Sequence, residues 1–145
     1  MSRVQIQLPK HFPVRLELPL FRFHINVGDH ADNVQLLTFV AEGRYALFQH
    51  FGYTETDIEG IGTVLADAAV QYRSEAFHGE TLIVEAAPGP LTRSGGSAYY
   101  RVSDKATGRE VLRVKNGFAF FDYALRKTCP VPEAFRVKWE AARGE

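Results

Sequence analysis

Residues 34–51 read as one helix that is apolar around most of its circumference. Leu36, Leu37, Val40, Ala41, Tyr45, Leu47, Phe48 and Phe51 follow helical spacing, and the stripe they form is too wide for a helix with a free side. Such a helix has to be enclosed by the rest of the chain. Downstream of it lies a succession of strand-like segments at 63–73, 81–87, 97–103 and 110–122. Turn signals separate them: His78-Gly79, then Pro88-Gly89-Pro90 with Gly95-Gly96, then Asp104 to Gly108. Consecutive hairpin strands imply an antiparallel sheet. One buried helix against one sheet implies a two-layer α+β domain in which the sheet curls around the helix.

The flanks complete this plan. Residues 1–13 carry Pro9 and Pro13 and read as a lead-in arm. Val14 to Ile25 alternates loosely and reads as a strand that Pro19 interrupts. The polar stretch Asn26 to Asn33 is a loop that opens the helix, with Asp32 or Asn33 as N-cap and Gly52 as the stop at the far end. Residues 53–61 form a polar turn or a short second helical piece, and Pro132 to Ala142 a short C-terminal helix. Phe118, Phe120 and Phe121 put aromatic area on both faces of the last strand, so a second subunit is expected over the outer face.

With 145 residues the chain makes one domain, 1–145, with 1–13 as the arm and 131–145 as a C-terminal extension. Lys plus Arg equals Asp plus Glu at 17 each, which argues against a general nucleic-acid binder and leaves self-association unopposed. Cys129 is the single cysteine, so no intrachain disulfide and no multi-cysteine zinc site can form. No apolar run approaches the roughly 20 residues that span a bilayer, and the N-terminus lacks a signal-peptide core. The expectation is a cytoplasmic protein without membrane or metal partners.

The loop and the segments around it resemble the hotdog-fold thioesterases of the 4-hydroxybenzoyl-CoA thioesterase type over roughly residues 14–122. The residues concerned are His24-Ile25-Asn26-Val27-Gly28-Asp29-His30-Ala31-Asp32-Asn33, then Glu42-Gly43-Arg44 on the helix, then Val70 to Glu80. The resemblance implies a hotdog fold, an acyl-CoA substrate, no cofactor beyond the coenzyme A of that substrate, and a homodimer or tetramer with the site at a subunit interface. It also exposes a departure. The family places its catalytic carboxylate where this chain has Asn26, and its first loop acid where this chain has His24, while Asp29 replaces a glycine. An amide neither attacks as a carboxylate nor accepts a proton near neutral pH.

Thioester hydrolysis needs stabilisation of an oxyanion and an activated water or nucleophile. A helix N-terminus supplies the first through unpaired N–H groups, here expected at Asn33, Val34 and Gln35. For the second, His30 is a base or water-positioning group, Asp29 orients it or acts directly, and Asn26 holds water or thioester. Glu42 contributes only if the helix aims it at the pocket. Phe39, Tyr45 and Tyr72 are expected pocket walls. Arg73, Arg93, Arg101, Arg109 and Arg113 are available to coenzyme A phosphates, although solvated sheet charge explains each as well. Asp29 and Asp32 also suit a first helical turn through the dipole alone. The leading reading is an acyl-CoA thioesterase. The alternative is a non-catalytic hotdog protein that binds an acyl thioester or a small aromatic ligand. A hotdog dehydratase or isomerase ranks last.

Overall fold

The computed structural model describes residues 3–143. Six strands form one antiparallel sheet: β1 (Val14–Pro19), β2 (Gly62–Tyr72), β3 (Thr81–Leu91), β4 (Gly95–Asp104), β5 (Glu110–Asp122) and β6 (Lys127–Thr128). Their order is β1-β3-β4-β5-β2, and β6 adds to the end of β5. The helix α1 (Asn33–His50) packs across β1, β3 and β4. This is the α+β hotdog arrangement. Among the described residues no helix is long and apolar enough to cross a membrane.

The strand register explains the two faces. Leu16, Val84, Val102, Leu112 and Tyr72 lie opposite one another across five strands and form one row of the inner face. The neighbouring row is Arg15, Glu85, Arg101, Arg113 and Gln71, on the outer face. A one-residue step changes face because strand side chains alternate. α1 can approach the inner face closely at Gly43, where a Cβ would lie 2.8 Å from Val84 Cγ1. Glycine is thus required for helix and sheet to meet there.

Several expectations change. The first strand stops at Pro19, and residues Arg22–His24 form a single 3-10 turn instead of continuing to Ile25. Pro19 lacks the N–H that a continuing ladder needs, and the Phe21 amide donates to His24 Nδ1 at 2.9 Å. Residues 53–61 are tight turns with left-handed Glu59 and Gly60, not a helical piece. β3 runs through Pro88-Gly89-Pro90, and the hairpin to β4 lies at 92–94. The two prolines fall where the ladder between β3 and β4 loses register, so their missing donors cost no pairing.

The outer face is partly covered by the chain itself. The Ile6 amide donates to Gln71 Oε1 at 3.2 Å, Arg113 Nη1 donates to Ile6 O at 3.0 Å, and Arg101 lies 4.8 Å from the Phe12 ring centre. The arm therefore takes up part of the role expected of a second subunit. The C-terminal extension is also integral over its described residues, 131–143, and its last two residues lie outside the described ones. α2 (Glu133–Ala142) buries Phe135 and Trp139 completely against Phe48 and Phe118. Trp139 Nε1 donates to Gly89 O at 2.8 Å. Burial of an aromatic side chain of this size is worth about 3 kcal/mol or more.

Candidate active site

An open cleft of about 770 Å³ lies where the loop before α1, the start of α1 and the end of β2 meet. Asn26, His30, Asn33, Leu36, Tyr72, Arg73, Ser74, Glu75, Phe77 and Arg109 line it. The loop holds its shape through its own backbone: Asn26 N–H donates to His30 O at 3.0 Å, Asp29 N–H to Asn26 O at 3.2 Å, and Asp32 N–H to His24 O at 2.9 Å. The Ala31 amide donates to Ala76 O at 2.7 Å and so ties this loop to the one after β2. The Tyr72 hydroxyl donates to Asn33 O at 3.1 Å and fixes the end of β2 against the start of α1.

Of the three residues expected to be catalytic, the cleft receives Asn26 and His30 but not Asp29. Asn26 Oδ1 accepts the Gly28 amide at 2.8 Å, which leaves its Nδ2 as a donor rather than a base. His30 Nδ1 lies 3.1 Å from Ala31 O. A carbonyl can only accept, so Nδ1 carries a hydrogen, and in the neutral ring the lone pair is on Nε2. That nitrogen lies 3.9 Å from Glu75 Oε2. Asp29 sits in the left-handed region at φ 64°. Its side chain is 87% exposed and its nearest ion-pair partner is Arg22, at 3.9 Å. The turn leaves the Asp29 carboxylate in solvent, outside the lining of the cleft.

The helix N-terminus is correct in place and different in detail. Asp32 is the N-cap, and its Oδ2 accepts both the Val34 and Gln35 amides, at 3.0 and 3.3 Å. Those two donors are committed, and neither residue lines the cleft. Asn33 N–H is the first-turn amide without an acceptor among the described residues, and Asn33 lines the cleft. Of Asn33, Val34, Gln35 and Tyr72, expected to bind substrate, Asn33 and Tyr72 line the cleft.

The other expected residues divide by place. Arg73 and Arg109 reach the cleft. Arg109 is held by both Glu80 carboxylate oxygens at 2.9 and 3.0 Å and donates to Glu75 O at 3.0 Å. Arg101 pairs with Glu85, and Arg113 with Glu110. Arg44 pairs with Glu55 at 2.8 Å, not with Glu42. Away from the cleft, the Asp67 carboxylate accepts the Gly117 amide at 3.0 Å, at a bulge in β2. Phe39 and Glu42 line a separate groove of about 240 Å³ with Phe21, Phe23 and His24. Burial holds the His24 imidazole below its usual range, and its Nδ1 accepts the Phe21 amide. Tyr45 is half exposed and lines neither cavity. Ser74, Glu75 and Phe77 are cleft residues that sequence reasoning missed, because nothing in local spacing signals a contact between two separate loops.

Residues 22–138 match the model of the thioesterase-like superfamily. The chain belongs to the thioesterase-like superfamily. Solved structures agree on the fold. A thioesterase from Thermus thermophilus, complexed with coenzyme A and Zn, is 20% identical, with 88% of this chain and 97% of that one covered at a TM-score of 0.76. A 1,4-dihydroxy-2-naphthoyl-CoA thioesterase from Synechocystis is 14% identical, with 85% and 92% covered at 0.76. A Staphylococcus aureus protein in complex with CoA is 10% identical, with 97% and 90% covered at 0.82. Curated protein sequences give no match. Within this thioesterase-like frame, the lining of the cleft beside α1 includes both Asn33, with its free helix-terminal amide, and His30.

Proposed function

We propose that the protein is an acyl-CoA thioesterase that hydrolyses its substrate in the His30 cleft. One observation carries the reading: the Asn33 N–H donor and the His30 Nε2 acceptor line the same cavity. The acyl carbonyl lies at Asn33 N–H, where developing negative charge meets an unshared amide at the positive end of α1. Asn26 Nδ2 supplies a second donor. His30 Nε2 takes the proton of the attacking water. Leu36, Tyr72 and Phe77 offer apolar surface to the acyl group, and Arg73 offers charge to the phosphates of coenzyme A. Relatives solved with coenzyme A support this choice of carrier. The compartment implied is the cytoplasm.

A second copy of the chain completes the assembly through β2. That strand is a sheet edge, and Leu65, Ala66 and Ala68 on it are exposed. An unpaired apolar edge of this kind is a template for a partner strand. The amide at Asn26 favours a second reading, in which the cleft binds a thioester without turnover. Release of free thiol from a panel of acyl-CoAs separates the two. The expected result is turnover that falls about 10²- to 10⁴-fold in His30→Ala. Saturable binding with no thiol released refutes hydrolysis.

A further inference from the structure

Two acceptors face one another across the cleft. With Nδ1 donating to Ala31 O, the neutral His30 ring has its lone pair on Nε2, and Glu75 Oε2 stands 3.9 Å away. No hydrogen belongs between a neutral imidazole nitrogen and a carboxylate, so the gap suits a donor with two hydrogens. A water bonded to each at about 2.8 Å spans it with an angle of roughly 90° at its oxygen. Both hydrogens of that water are then held, and its remaining lone pairs are free toward an acyl carbon.

We propose that Glu75 is a catalytic residue: it holds the attacking water together with His30 and is the counter-charge to the imidazolium that forms. This rests on the hydrolase reading above. The carboxylate absent at Asn26 is supplied from the neighbouring loop. Glu75 is pinned through its backbone on both sides. Ser74 Oγ donates to Glu110 O at 2.7 Å, Ala76 O accepts the Ala31 amide at 2.7 Å, and Glu75 O accepts Arg109 Nη2 at 3.0 Å. Arg109 does not quench the Glu75 charge, because its guanidinium is committed to Glu80.

Atoms and electrons balance through the step. The water oxygen bonds the acyl carbon, the carbonyl π pair moves to oxygen under Asn33 N–H, and one water proton passes to His30 Nε2 while Glu75 holds the other hydrogen. The tetrahedral intermediate collapses and the C–S bond breaks. The sulfur leaves with the bonding pair and takes the proton back from His30. The products are a carboxylic acid, which ionises in solvent, and free coenzyme A.

The test compares wild type, Glu75→Gln, Glu75→Ala and His30→Ala by thiol release on the acyl-CoA that wild type turns over best. For Glu75→Gln we expect kcat about 10- to 100-fold lower and KM within about threefold, as for loss of one charge pair near 4 Å at a protein surface. Formate restores part of the rate to Glu75→Ala and none to His30→Ala. Each variant is first shown to melt like wild type. That is expected, since the Glu75 side chain is 61% exposed. A Glu75→Gln kcat within twofold of wild type, or a rise in KM alone, overturns the assignment and leaves the hydrolase reading standing. No thiol release by wild type from any acyl-CoA overturns the hydrolase reading and this assignment with it.

Discussion

Replacing Asp32 by asparagine tests whether the thioester carbonyl lies at the start of α1. Asp32 Oδ2 accepts the Val34 and Gln35 amides at 3.0 and 3.3 Å, and an asparagine oxygen can keep both bonds. The two residues are about equal as N-caps, so the lost stability is the charge–dipole part alone, about 0.3–1 kcal/mol. For a chain of this size that is a fall in Tm of about 1–4 °C. The effect on rate has the opposite sign. An oxyanion bonded to Asn33 N–H shares the first turn with the Asp32 carboxylate, which accepts the next two amides, and a separation of about 5 Å is taken for the two charges. Two negative charges at that distance repel by about 0.8 kcal/mol at a dielectric near 80 and about 1.7 kcal/mol near 40. Asp32→Asn therefore raises kcat by about 4-fold to about 20-fold. The assay is thiol release at saturating acyl-CoA beside a thermal melt of the same sample. An unchanged or lower kcat in a protein that keeps its Tm within a few degrees refutes the placement of the carbonyl at this helix end.

Leu65→Arg is expected to reduce the assembly to monomers in sedimentation without loss of the far-ultraviolet circular dichroism spectrum, because Leu65 is 55% exposed within one chain. A variant that sediments as wild type places the partner elsewhere. Acid sensitivity follows from Glu110, whose carboxyl is held below its ordinary range first by its hydrogen bond from Arg113. A folded-state pKa below the unfolded one adds stability above about pH 4.5, and that stability is lost as pH falls through the folded value. Melts between pH 7 and pH 3 should therefore show a Tm that drops at the acid end, and Glu110→Gln should flatten the drop while lowering Tm at pH 7. An acid limb of equal steepness in Glu110→Gln assigns the loss to other carboxylates.

Periodicity carried the fold and little of the site. The expected helix at 34–51 and the observed α1 at Asn33–His50 agree because the apolar stripe and the capping residues point the same way. The strand boundaries shifted where proline stood. Pro19 ended β1 early, whereas Pro88 and Pro90 were absorbed into β3 at a break in the ladder. A single sequence does not distinguish the two cases, because a proline's cost depends on whether its missing N–H had a partner. The role of the 131–145 segment was hidden for a different reason. Phe135 and Trp139 sit on a short amphipathic helix that reads alike whether it seals a core or lies on a surface, and only the fold brings Phe48 and Phe118 beneath it.

The site was legible as a place and not as a set of partners. The polar run Asn26 to Asn33 before an apolar helix marked the loop, yet Asp32 spends its carboxylate on the Val34 and Gln35 amides and Asp29 turns away, both decided by backbone angles. The carboxylate that reaches the cleft belongs to another loop. The bond from the Ala31 amide to Ala76 O joins the two loops edge to edge, so a carboxylate on either one can reach the same volume. Positions 26 and 75 both line that volume. The amide at Asn26 then removes one acid without removing acid from the cleft, and Asn26→Asp in the Glu75→Gln background is the substitution that returns the charge from the first loop. Activity recovered there, with Asn26→Asp alone no faster than wild type, is the expected outcome if the cleft requires one carboxylate and is indifferent to which loop brings it. A double variant that stays as slow as Glu75→Gln shows that the position of the charge, and not its presence, governs the rate.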